Sequence, residues 1–122
     1  VIPMADIRMG PAETQFAEII WEHEPIASGE LSKIAEEKLN WKKTTSFTVI
    51  KRLSERGIIQ NQKGIVTSLI SREEFFARHS EQYVQDTFGG SLPAFMAAFS
   101  THKKLTGKEI DEMKRLIEKM RG

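Results

Sequence analysis

The feature that most constrains this chain is a change of hydrophobic period at Gly57. Before it, apolar residues recur every three to four positions. After it come Ile58-Ile59, a polar tip from Gln60 to Gly64, and the apolar run Ile65 to Ile70. Two β-rich runs around a glycine-containing tip read as a hairpin, and a glycine directly after a helical pattern reads as its stop. Upstream, Gly10-Pro11 opens a first helix with Pro11 at its first position. That helix carries Ala12, Phe16, Ile19 and Ile20, with Trp21 closing the run before Glu24-Pro25. Pro25 to Ala27 is a short extended connector, and Ser28 is a good N-cap. A second helix then shows Leu31, Ile34, Ala35 and Leu39 on one face, and after Asn40 and Trp41 a third runs from about Thr44 to Arg56.

Three short helices followed by a hairpin is the order of a winged helix-turn-helix, expected over residues 4–70 with Met4 read as the natural start. The remainder, 71–122, is helical and different in character. Ser71-Arg72-Glu73-Glu74 matches a capping box and starts a helix carrying Phe75, Phe76, His79, Tyr83 and Phe88. Gly89-Gly90 breaks it. Ser91 caps a short helix with Leu92, Phe95, Met96 and Phe99 at i, i+3, i+4 and i+7. A second capping box, Thr106 to Glu109, starts a helix whose Ile110, Met113, Ile117 and Met120 form an a/d seam. So much apolar surface on short helices calls for a partner. The expected class is therefore mainly α with a small β-hairpin, a winged helix-turn-helix followed by a helical dimerisation region. Phe76, Tyr83, Phe88, Leu92, Phe95, Met96, Phe99, Ile110, Met113, Ile117 and Met120 are the expected dimer residues.

The third helix is built from poor helix formers: Thr44, Thr45, Ser46, Phe47, Thr48, Val49 and Ile50. On a helical wheel Ser46, Val49, Ile50 and Leu53 fall on the side that packs inward. Thr44, Phe47, Thr48, Lys51 and Arg52 fall outward, with Lys42 and Lys43 at the entry. Short hydroxyls, one ring and cations suit the DNA major groove, where a Thr methyl or a Phe ring touches thymine and Lys or Arg reaches guanine or the backbone. Thr44, Thr45, Phe47 and Thr48 are the expected base contacts. Lys42, Lys43, Lys51, Arg52 and Lys63 are the expected phosphate contacts. Charge agrees: from Lys38 to Lys63 seven basic residues face one acid, a net +6 that leaves −5 for the rest of a chain totalling +1. Segregation of that kind is the footprint of a polyanion site.

These residues resemble the BlaI/MecI/CopY family of penicillinase repressors and copper-responsive relatives. The likeness lies in RMGPAETQFAEIIW, WKKTTSFTVIKRLSERGII, FGGSLPAFMAAF and LTGKEIDEMKRLIEK, taken in that order and spacing. It implies a homodimeric winged-helix repressor on a pseudo-palindromic operator, with the C-terminal helices forming the dimer; the absence of cysteine fits a cytoplasmic protein. Three departures stand out. The copper-responsive branch uses a cysteine-rich metal site, and this chain has no cysteine. In the β-lactam branch a regulatory protease cuts an Asn-Phe bond; the matching position is Ala98-Phe99, with the Phe kept and the Asn lost. Ser46-Phe47 stands where many relatives have an aliphatic residue followed by a polar or basic one, which implies a different operator sequence.

Other chemistry finds little support. His23, His79 and His102 are scattered and none is at i, i+3 or i+4 from another, so no metal or cofactor is expected. His79 reads as a packed histidine and His23 as a residue at a helix end. Glu36-Glu37 and Glu73-Glu74 point in different directions on their helices and read as solvated faces or caps. With no phosphate loop and no nucleophile motif, an enzyme is not expected. No apolar run approaches the roughly 20 residues of a membrane span, and no signal peptide is read. Two rival readings remain open at this level: a winged-helix protein-interaction module, and a DNA-binding architectural protein without sequence preference.

Overall fold

The computed structural model describes residues 6–122, so the expected start at Met4 lies outside the described residues. Helix α1 spans Pro11–His23, α2 Ser28–Leu39 and α3 Lys43–Glu55. Strands β1 (Ile26–Ala27), β2 (Ile59–Gln62) and β3 (Ile65–Ser68) form an antiparallel sheet in the order β1-β3-β2. Helices α4 (Arg72–Phe88), α5 (Leu92–Phe99) and α6 (Gly107–Lys119) follow.

The stop at Gly57 is a Schellman motif. Gly57 sits at φ +75°, its N–H donates to the Ser54 carbonyl (3.1 Å), and the Ile58 N–H donates to the Leu53 carbonyl (3.0 Å). Leu53 and Ile58 are both fully buried, so the same turn that ends α3 also seals the core. The hairpin that follows is tighter than the sequence suggests. Gln60, Asn61 and Gln62 pair with Thr67, Val66 and Ile65, leaving only Lys63-Gly64 as the turn. Both turn residues have positive φ, +53° and +84°, the conformation whose twist matches that of the flanking strands.

Two local expectations are corrected. The connector before α2 contains β1, which pairs Ile26 with Val66 and Ala27 with Ile65. Ala27, not Ser28, is then the N-cap, and Ser28 is already helical. The reason is the sheet: β1 ends at Ala27, and the Ser28 N–H donates to the Gly64 carbonyl at 2.8 Å. In α1 the buried positions are Phe16, Ala17, Ile19 and Ile20, and Ala12 is exposed. Phe16 stacks on Trp41 at 5.0 Å, and the core continues through Leu31, Val49, Ile50, Ile59 and Val66.

The chain divides into two compact units, the first ending at Ser80 and the second starting at Glu81, ten residues later than the expected boundary. Phe75 explains the difference. It is 1% exposed and lies 5.6 Å from the Trp21 ring, and the Trp21 indole N–H donates to the Ile70 carbonyl at 3.0 Å. Arg72 adds a charge-assisted contact to the Glu18 carboxylate (2.9 Å) and lies over the Phe76 ring at 4.8 Å. That carboxylate pushes the Arg72 pKa up. The first turns of α4 are therefore part of the winged-helix core. Phe76, expected at the dimer, is half-buried here between Phe75 (5.1 Å) and Trp21 (6.2 Å), and His79 stacks on Phe75.

The second unit is built on a chain of rings. Tyr83, Phe88 and Phe95 meet edge to face at 5.6–6.2 Å, and Phe95 continues to Phe99 at 6.1 Å. Ser91 caps α5 through the Ala94 N–H, and Thr106 and Glu109 close a full capping box on α6. The Glu109 carboxylate accepts from the Thr106 N–H, which holds its pKa below the usual range. No residue of α5 or α6 is buried.

Candidate nucleic-acid interface

Helix α3 presents the two sides the wheel predicts. Ser46, Val49, Ile50 and Leu53 are buried, while Thr44, Thr45, Phe47, Thr48, Lys51 and Arg52 are exposed. The low helix propensity of this segment is overridden by that buried side, the usual source of helical stability in a folded domain. Ser46 is the exception within it. Its hydroxyl is fully buried and, among the described residues, is the one buried side-chain polar atom without a hydrogen-bond partner.

The outward side divides into two grooves. Thr44, Thr45, Thr48 and Arg52 line a shallow one over Val49. Phe47, Lys51, Ser54 and Glu55 line the other together with Asn61 of β2. Asn61 is a candidate contact that the sequence reading missed. Strand alternation offered the signal, because Asn61 shares a face with the buried Ile59. The Lys43 ammonium lies 5.8 Å from the Phe47 ring centroid, which keeps that cation on the exposed side of the helix. The Thr48 hydroxyl donates to the Thr44 carbonyl (2.9 Å) and keeps its lone pairs for an incoming donor.

At its start, α3 has Lys42 as N-cap with no side chain occupying the first amides. Free N–H groups beside Lys42 and Lys43 form an arrangement that accepts phosphate. Lys63 stands at the hairpin turn and is exposed.

The cations are not equivalent. Among the described residues Lys42, Lys43, Lys51 and Lys63 have no ion pair. Arg52 reaches Glu13 of α1 at 3.4 Å, and Arg56 reaches the other oxygen of Glu13 at 3.8 Å. Arg56 also donates to the Arg8 carbonyl, and the Asp6 N–H donates to the Arg56 carbonyl at 3.0 Å, so residues 6–8 are tied to the end of α3. Arg8 in turn grips the Asp6 side chain and holds its pKa far below the usual carboxylate range. The +6 count along the sequence thus overstates the free charge, since Glu13 is folded onto two of its arginines. No local pattern could have shown this, because the partners are 39 and 43 positions apart.

Elsewhere, no group of three or more His, Asp or Glu side chains among the described residues is placed to hold a metal ion. No helix among them is long and apolar enough to cross a membrane.

The model of the penicillinase repressor family matches residues 9–119 of this chain. The chain belongs to the penicillinase repressor family. The match bears out the resemblance seen in the sequence and places the chain among transcriptional repressors, not enzymes. It is 24% identical to the penicillinase repressor of Bacillus licheniformis over 115 residues, covering 91% of this chain and 90% of that one. The methicillin resistance regulatory protein MecI of Staphylococcus aureus is 22% identical over 112 residues, covering 88% of this chain and 91% of that protein. A solution structure of monomeric B. licheniformis BlaI in complex with a half-operator is 22% identical. It covers 55% of this chain and 87% of that one, with a TM-score of 0.48. The winged-helix assignment of this chain rests on its own element order and strand register described above.

Proposed function

We propose that this penicillinase-repressor family member is a dimeric, sequence-specific DNA-binding repressor that occupies a pseudo-palindromic operator. The observation that carries the reading is the outward face of α3, where exposed hydroxyls, one ring and unpaired lysines lie opposite a buried apolar side. Thr44, Thr45, Phe47 and Thr48 read base edges, joined by Asn61 from the wing. Lys42, Lys43, Lys51, Arg52 and Lys63 hold phosphate and fix the register.

Dimerisation runs through the exposed apolar residues of the second unit. Tyr83, Leu92, Phe99, Ile110, Ile117 and Met120 are each 39–66% exposed, and Phe88, Phe95, Met96 and Met113 are partly buried beside them. A second copy turns binding of the second half-site into an intramolecular event and raises avidity by about 10²–10⁴. Loss of the dimer then releases the operator without any change in α3. A regulatory protease acting near Ala98-Phe99 is one route. Both residues are exposed at the end of α5, and a cut there separates α6 and its seam from the rest.

Fluorescence anisotropy against DNA from upstream of the chain's own gene, with scrambled competitor and several salt concentrations, tests the proposal. Tight binding that survives the competitor is expected, at two protomers per site. Salt-sensitive binding that the competitor removes would point to an architectural protein, and no binding to an interaction module. Within the same assay, Lys51→Ala is expected to weaken all sequences alike and to reduce the salt slope by about one unit.

A further inference from the structure

Glu13 occupies an unusual place for an acid. Among the described residues it is the one carboxylate that forms an ion pair with a cation of α3, and its own position is fixed. One oxygen accepts from the Gly10 N–H at 3.3 Å as part of the cap of α1, and its side chain is only 18% exposed. The two arginines it meets differ. Arg56 is 29% exposed and is also held by the Arg8 carbonyl, so it is part of the scaffold. Arg52 is 49% exposed, makes one long contact of 3.4 Å to Glu13, and lines the groove shared by Thr44, Thr45 and Thr48.

An arginine with a single stretched contact, beside a surface suited to a polyanion, has two competing partners of the same chemistry: a carboxylate within the protein and a phosphate on DNA. The carboxylate is anchored and cannot follow, whereas the long Arg52 side chain can swing. We infer that Glu13 is an intramolecular stand-in for phosphate that restrains Arg52, and so limits how tightly the protein holds DNA of any sequence. The inference rests on the DNA-binding reading above and adds a determinant of specificity to it. Every phosphate contact that Arg52 makes first costs its contact with Glu13. Sequence-independent affinity is thereby lowered, and a larger share of the binding energy is left to the threonine face.

The test is the variant Glu13→Gln, which keeps a side chain able to cap α1, since Gln serves at that position as Glu does. Anisotropy would be measured with a scrambled duplex at low and high salt, for the wild type, Glu13→Gln, Arg52→Ala and the double variant, with circular dichroism to verify the fold. The expected result is a gain of about two- to fivefold in affinity for scrambled DNA in Glu13→Gln, the range that breaking an exposed ion pair supplies. The gain should shrink at high salt, where the pair is already screened, and vanish when Arg52 is alanine. An unchanged or weakened affinity would overturn the inference, as would a gain that persists without Arg52, which would make it a general effect of net charge. If the wild type bound no DNA at all, the DNA-binding reading would fall and this inference with it. Wild-type binding with an inert Glu13→Gln removes this inference alone.

Discussion

The two units of this chain bury their apolar residues to very different extents. The first holds a set of side chains with almost no exposure, among them Phe16, Ile20, Leu31, Leu53, Ile58, Val66 and Phe75. In the second, α5 and α6 bury no residue, and Leu116, Ile117 and Met120 are 57–66% exposed although α6 is amphipathic. Yet the second unit is not short of local order. It has two well-formed caps and a chain of four rings, three of which meet edge to face. The contrast teaches that good helix signals and a good core are separable. One unit supplies its own core, while the other is a set of sound helices whose apolar seam calls for another surface.

Substitutions sharpen or break that contrast. The largest effect is expected in the first unit, where Phe16→Ala should cost about 3–5 kcal/mol in chemical denaturation followed by tryptophan fluorescence. Phe16 is fully buried and stacked on Trp41, so the cavity has little room to collapse. A cost below about 1 kcal/mol would show that this core is not what holds the unit together. In the second unit, Ile117→Asp should leave that unfolding transition in place, because the residue is 57% exposed in the protomer. It should instead weaken self-association by about thirtyfold, or ~2 kcal/mol, as for the loss of a central interface residue. Light scattering over a concentration series would read the change.

A smaller and opposite effect is expected at Ser46. Its buried hydroxyl has no partner, so Ser46→Ala should stabilise the first unit by about 1 kcal/mol in the same denaturation experiment. The smallest effect belongs to α6. The folded pKa of Glu109 is depressed by its bond from the Thr106 N–H, so the cap contributes above the ordinary carboxylate range and is lost as pH falls through the folded value. Helicity followed by circular dichroism should decline in acid, and Glu109→Gln, which caps without titrating, should remove that part of the decline.

What was legible in the sequence was the local part. Helical period, the Gly57 stop, the Gly89-Gly90 break and the caps at Ser91 and Thr106 depend on neighbours within a few residues, and each stands where the pattern places it. The inward and outward sides of α3 were equally legible, because a wheel needs only the order of residues. What stayed hidden was non-local. A two-residue strand such as β1 has no period to detect, and it shifted the cap of α2 from Ser28 to Ala27. The place of Phe75 was ambiguous, because a ring packed on Trp21 and a ring offered to a second copy leave the same helical pattern. The hold of Glu13 on Arg52 and Arg56 depends on two helices meeting, so the charge of that face could be counted but not apportioned.

The central claim is a division of labour, with a self-sufficient winged helix reading DNA and a core-poor helical unit joining two copies. Sedimentation velocity of the full chain, alone and with a duplex from upstream of its own gene, tests it most directly. The account predicts a dimer in the absence of DNA and one dimer per duplex in its presence, unaffected by an excess of scrambled DNA. A monomer that stays monomeric at high concentration, or a complex that scrambled DNA dissolves, would contradict it.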